Sequence, residues 1–150
     1  MSAALLAAGA AAGCAAKPTS GPGSIAATAA YIQLPTGKTT VGYLDIRNNG
    51  SAEDHLVSVS TSVGGTVQLR APAGAGVSPV VMRTVPSIDI PAGTLVQLVP
   101  NSYHLLITGA GPMHDGKDIT LTLTFAHAGS VTILALVTNP ANGGSGYFLN

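Results

Sequence analysis

The side chains best equipped for chemistry in this chain are its imidazoles and thioethers: His55, His104, His114 and His127, with Met82 and Met113. Thioether sulfur is a soft donor and imidazole a borderline one, so a site that mixes them selects Cu(I). Such a site also suits an oxidising compartment, where paired cysteines are lost to disulfides. A single Met in a β protein is commonly core filler, so spacing has to carry the argument. Competing chemistries are poorly supplied. Cys14 is the only cysteine, which excludes an intramolecular disulfide and a multi-cysteine zinc site. The adjacent acids Glu53-Asp54 read as solvated turn charge. His114-Asp115 has the form of a dyad, but it sits in a Gly/Pro loop with no nucleophile beside it. There is no Gly-x-Ser-x-Gly elbow. No Gly-rich loop follows a strand and opens a helix. An enzyme has no supporting constellation here.

The elements that must position these residues belong to a short, weakly charged chain. It has 150 residues, 46% apolar and 8% charged, with six basic and six acidic side chains that cancel. That length suits one domain with a real core. The zero balance excludes a basic nucleic-acid surface or a polybasic membrane patch. Four Tyr, two Phe and no Trp give no stacking platform for bases or sugars.

The amino terminus reads as a processing signal. Residues 1–13, MSAALLAAGAAAG, are uncharged. The apolar stretch is too short for a bilayer, which needs about 20 residues, and fits the core of a secretory signal. It runs into Ala11-Ala12-Gly13-Cys14, which resembles a bacterial lipobox, in which the Cys is lipidated and becomes the first residue. The usual basic n-region is missing, since the first basic residue is Lys17. The chain divides into a signal at 1–13, a lipidated Cys14 opening a Pro/Gly/Ser-rich tether at 14–27, a folded body at 28–138 and a loose tail at 139–150. That places the protein at the outer face of the bacterial cytoplasmic membrane, lipid-anchored or secreted.

The body has period two, not 3.6. Ile119 to Phe125 alternates apolar residues with Thr, as a strand with one buried face does. Val57 and Val59 alternate with Ser, and Val67 and Leu69 flank Gln68. Val131 to Val137 is apolar on both faces and reads as a central strand. Further strands are predicted at Tyr31–Leu34, Thr40–Asn48, Thr94–Val99 and Tyr103–Thr108. Asn49-Gly50 and Gly64-Gly65 are hairpin dipeptides. Short strands at this spacing predict an all-β sandwich or barrel.

From Val41 to Val137 the chain resembles the PCu(A)C family of periplasmic copper chaperones. The resemblance rests on an ordered set of stretches: Tyr43 to Gly50, Thr66 to Leu69, Met82 to Val85, Ile90 to Gly93, Tyr103 to Leu106, and Leu121 to Phe125 with Ala128-Gly129. It implies a cupredoxin-like β-sandwich that binds Cu(I) and delivers it to an acceptor in cytochrome oxidase assembly. The family motif is His-Met, ten residues, Met, twenty-one residues, His-x-Met. Met82 and His104 fall on its central Met and second His. The opening pair falls on Arg70-Ala71 and the last Met on Leu106. Arg is a permanent cation and no ligand.

Strand arithmetic offers replacements. A hairpin closing at Val63-Gly64-Gly65 predicts His55 near Arg70 to Pro72. A hairpin of 103–109 on 119–125 predicts His127 near His104, with Met113 and His114 at the far end. The predicted metal set is therefore Met82, His104 and His55, with His127 in reserve. The alternative is a metal-free lipoprotein of the same fold, a binding or scaffolding module whose contact surface is the uncharged loop Ala71 to Val81.

Overall fold

The structure, a computed structural model, describes residues 24–74 and 79–142. Cys14, the signal, most of the tether and the end of the tail lie outside the described residues. Ten strands follow one another: β1 Ile25–Gln33, β2 Thr39–Asn48, β3 Asp54–Thr61, β4 Thr66–Pro72, β5 Met82–Val85, β6 Ile88–Ile90, β7 Leu95–Leu98, β8 His104–Thr108, β9 Asp118–Phe125 and β10 Gly129–Thr138. Among the described residues a 3-10 turn, Pro140–Asn142, comes after them.

The strands form one continuous hydrogen-bonded path, β5-β4-β8-β2-β1-β10-β9-β3-β6, with β7 paired to β2 beyond the end of β8. This path folds into a barrel-like sandwich. One layer runs from β5 to β1 and the other from β10 to β6. They join through the parallel pairing of β1 with β10, Tyr31 to Gln33 against Leu136 to Thr138. At the other side they join at the corner between β5 and β6. Alternation along each strand builds the core between the layers. Leu44, Ile46, Leu105 and Ile107 face inward from the first layer, and Leu56, Ile90, Leu121 and Leu123 from the second. Each such side chain contributes about 1.5–3 kcal/mol on burial.

Several expectations are corrected. Asn49-Gly50 and Gly64-Gly65 do not close hairpins. β2 pairs with β1, β7 and β8, whereas β3 pairs with β6 and β9. These turns carry the chain from one layer to the other. Gly65 suits its corner for a steric reason: its φ is +85°, and a Cβ there would lie 2.7 Å from the Ala110 nitrogen. β10 is central only at its end, where β1 joins it. Its first residues pair with β9 alone, and Leu134 is exposed there. β1 begins at Ile25, three residues before the predicted body. A register shift in the β1–β2 ladder falls between Thr28 and Tyr31, with Ala29 at φ 50°; beyond it Tyr31 and Ile32 pair with β2 on one side and β10 on the other. β5 and β6 are strands that the period-two reading did not assign.

One pole of the sandwich gathers the ends of many strands. Asn48, fully buried, donates through Nδ2 to the carbonyls of Ala52 (2.8 Å) and Ile90 (3.0 Å) and accepts from the Gly50 N–H. The Asn49 N–H donates to the Ser24 carbonyl at 2.7 Å, so the chain arrives at β1 on this same pole.

Candidate metal centre

Strand register brings the motif positions onto one outer face. In the β4–β8 ladder Arg70 lies opposite His104 and Gln68 opposite Leu106. Leu105 and Ile107 point into the core, so His104 and Leu106 point out. In the β4–β5 ladder Arg70 lies opposite Thr84 and Pro72 opposite Met82. The Arg70 guanidinium donates from Nη1 to Thr84 Oγ1 at 2.7 Å and from Nη2 to the Met82 carbonyl at 2.8 Å. Thr84 thus shares the outer face with Arg70, and Met82, two residues away, does too. Arg70, Met82, His104 and Leu106 are grouped on this face. Ala71 is not: it is buried and faces the core.

The neighbours of His104 are aromatic. Its ring lies 6.2 Å from that of Tyr43, which stands 5.1 Å from that of Tyr31. Burial raises the Tyr43 hydroxyl above its ordinary pKa, with a further push from Tyr31. Burial likewise raises Tyr31. Both stay neutral at physiological pH. His104 Nδ1 lies 3.2 Å from the Ser102 carbonyl, which as a donor contact leaves Nε2 with the lone pair.

The two predicted hairpins that would bring His55 and His127 to this face do not form. β3 is not laddered to β4, nor β8 to β9. His55 and His127 instead meet each other at the pole, with ring centroids 6.1 Å apart. His55 Nδ1 lies 2.8 Å from Asp89 Oδ1, and its Nε2 lies 3.6 Å from Glu53 Oε1. Asp89 comes from β6, in register with His55. Ligand atoms of Glu53, His55 and Asp89 all lie within 4.8 Å of one another. His127 Nδ1 lies 3.3 Å from Asp54 Oδ1.

Asp54 holds this corner together. It is fully buried and accepts from the N–H groups of His55 (2.7 Å), His127 (3.0 Å) and Ala128 (2.8 Å). Burial by itself would raise its pKa. The three N–H donors and His127 outweigh that, and hold the carboxyl below the ordinary carboxylate value. The sequence reading of Glu53-Asp54 as turn charge therefore missed Asp54. An acid beside a strand His was the available signal. Asp89 was also missed, although Ile88-Asp89-Ile90 alternates core and surface. Met113 packs partly buried against the core and His114 is exposed, away from both clusters.

Comparison with known proteins agrees with this fold. The family described as "Putative lipoprotein LpqE-like" matches residues 24–137. The chain belongs to the LpqE-like lipoprotein family. A relative named "Putative lipoprotein Lxx21020", from Leifsonia xyli subsp. xyli (strain CTCB07), is 24% identical over 115 residues, 76% of this chain and 69% of the relative. Solved structures with the same fold include the copper-bound PCuAC domain from PmoF2, with a TM-score of 0.65, 22% identity and coverage of 79% of this chain and 96% of that one. The apo PCuAC domain from PmoF1 gives a TM-score of 0.68 at 22% identity, covering 79% and 97%. Cu(I)-bound DR1885 from Deinococcus radiodurans gives 0.60 at 22% identity, covering 86% and 83%. The LpqE-like chain thus has the cupredoxin-like fold of PCuAC domains.

Proposed function

We propose that this LpqE-like protein is a non-enzymatic Cu(I) carrier, tethered through lipid on Cys14 to the outer face of the bacterial cytoplasmic membrane. The observation that carries this reading is the common outer face of Met82 and His104, at the motif's spacing, on adjoining parts of the β5–β4–β8 layer. One thioether and one imidazole make a sparse, neutral donor set that suits Cu(I). Sparse ligation favours hand-over, because an acceptor adds its ligands before the carrier's are released. The acceptor in this reading is a copper-receiving protein of cytochrome oxidase assembly. His55 drops out of this Cu(I) set because of its place: it lies on β3, beside Asp89 of β6 and Glu53 of the β2–β3 turn, not on the β5–β4–β8 layer.

Arg70 supports a second reading. Its guanidinium stands where the motif begins with His, is fastened to β5, and opposes a neighbouring cation. A metal-free module would instead use the exposed Val80 and Val81 beside it to contact a partner protein.

A Cu(I) titration against a chromogenic chelator separates the two readings. It uses the full chain with Cys14→Ser, which removes the competing thiol. The carrier reading predicts one Cu(I) per chain and at least about a tenfold loss of affinity in Met82→Ala with His104→Ala, as expected when a ligand pair is lost. No binding above the chelator baseline leaves the partner-binding module.

A further inference from the structure

The pole that holds His55 and His127 is chemically unlike the Met82 face. We propose that it is a second metal site, which takes a borderline divalent cation, Zn2+ or Cu2+, through His55 Nε2, His127 Nε2 and the Glu53 carboxylate. Asp89 and Asp54 act behind it as positioning residues.

The first observation is the orientation of the rings. Each imidazole has Nδ1 against an aspartate oxygen: His55 against Asp89 at 2.8 Å, His127 against Asp54 at 3.3 Å. A neutral imidazole donating from Nδ1 carries its lone pair on Nε2. A carboxylate behind a histidine is the usual arrangement around metal-ligating imidazoles, and it raises ligand basicity. His55 is held by a hydrogen bond to Asp89, and His127 stands beside it with a longer approach to Asp54: one prepared nitrogen donor and a second, freer one next to it.

The second observation is the spacing. Two ligands of a tetrahedral Zn2+ lie about 3.3–3.5 Å apart, given bond lengths near 2.0–2.1 Å. His55 Nε2 and Glu53 Oε1 are 3.6 Å apart, within a few tenths of an ångström of that edge. Two imidazoles sharing one ion through a single nitrogen each have centroids roughly 5–6 Å apart by the same bond lengths. The observed separation is 6.1 Å. The cluster whose ligand atoms already lie within 4.8 Å of one another is Glu53, His55 and Asp89; the His127 side chain is 57% exposed, so the proposed site forms when its ring turns toward His55 Nε2 and Glu53, a movement that displaces nothing buried. Its backbone stays fixed, because Asp54 clamps the N–H groups of residues 127 and 128.

The third is the ligand chemistry. Two imidazoles and a carboxylate are borderline to hard donors, suited to Zn2+ and Cu2+, and lack the sulfur that Cu(I) prefers. Three protein ligands leave a fourth position open to solvent. This site is independent of the Cu(I) reading, since it shares no residue with the Met82 face.

The test is a Zn2+ titration of the full Cys14→Ser chain, by calorimetry and by competition with a chromogenic chelator. A parallel Cu2+ titration is followed by electron paramagnetic resonance. The background variant Met82→Ala with His104→Ala is titrated too, so that failure of the Cu(I) face is distinguishable from failure of this one. We expect one Zn2+ per chain in both proteins and nitrogen hyperfine structure from the Cu2+ form. His55→Gln and His127→Gln should each weaken binding at least tenfold. Asp89→Asn should weaken it about tenfold, the usual cost of losing an orienting carboxylate. His127→Gln is a surface change that keeps the fold, and Zn2+ should raise the melting temperature of the parent but not of this variant. The proposal is overturned by absence of stoichiometric Zn2+, by binding that survives His55→Gln or His127→Gln, or by binding lost in the Met82/His104 variant.

Discussion

The Met82 face and the His55 pole are built by opposite strategies. On the Met82 face, candidate ligands sit on β5 and β8, the two strands that flank β4 in one layer, and their spacing along the chain announces them. The groups around them are aromatic rings and a fixed cation, Arg70, fastened to Thr84 and the Met82 carbonyl. At the pole, the candidate ligands come from the β2–β3 turn, a strand and the β9–β10 turn, and a carboxylate, Asp89 or Asp54, stands behind each imidazole. The first face has the right ligand types but positive charge in a ligand's place. The second has an orienting shell that no spacing motif describes. Position in a motif and electrostatic preparation are thus separable properties, and this fold carries each in a different place.

The sharpest way to break the comparison is to remove Asp54. Asp54→Ala leaves the buried N–H groups of residues 127 and 128 without acceptors, and should cost about 3–4 kcal/mol. Thermal unfolding should show a fall of roughly 10–20 °C for a domain of this size. A loss under 1 kcal/mol would mean that the carboxylate does not organise the pole.

Next in size is a gain on the other face. Arg70→His with Leu106→Met completes four outward donors, at 70, 82, 104 and 106, on one surface. Cu(I) affinity measured by chelator competition should rise at least about a hundredfold, equivalent to about 2.7 kcal/mol. An unchanged affinity would show that Arg70 is not what separates this face from a full copper site.

Acid sharpens the contrast further. The folded pKa of Asp54 is depressed, so its stabilisation is fully present above the unfolded carboxylate pKa and is lost as pH falls through the folded value. Denaturant unfolding of the metal-free chain should therefore weaken steadily below about pH 4. Asp54→Asn, less stable at neutral pH, should show a shallower slope there. Equal slopes would contradict the role assigned to the carboxylate.

The smallest effect is structural. Arg70→Ala removes two hydrogen bonds on a half-exposed surface and should cost about 1 kcal/mol, since such bonds are worth about 0.5–1.5 each net. A larger loss would make Arg70 chiefly a staple of β5.

Period-two alternation made most strands legible, because a strand with one buried face writes its own pattern. Ile119 to Phe125 is the plainest case. The same pattern says which face is buried but not which strand lies alongside. Asn49-Gly50 and Gly64-Gly65 are proper turn chemistry, yet they link layers, not ladder partners; the inferred neighbours of His55 went wrong with the Gly64-Gly65 turn, and those of His127 with the 103–109 on 119–125 hairpin, which does not form. β5 and β6 escaped because they are four and three residues long, and their pairing energy comes from strands distant in sequence. The spacing drew attention to Met82 and His104, and the register sets both on the outer face of the β5–β4–β8 layer. The pole was not legible, because His55 and Asp89 lie 34 residues apart, and Asp54 and Ala128 lie 74 apart.

The bond from the Asn49 N–H to the Ser24 carbonyl has a consequence for where the molecule works. It fixes the point of attachment on the pole that carries His55 and His127, toward which Met82 also lies. With Cys14 lipidated, as proposed, ten residue-to-residue steps lead from it to Ser24, a reach of about 35 Å at full extension. Both proposed sites would then stay within about that distance of the bilayer, at the end of the domain where Ser24 enters β1.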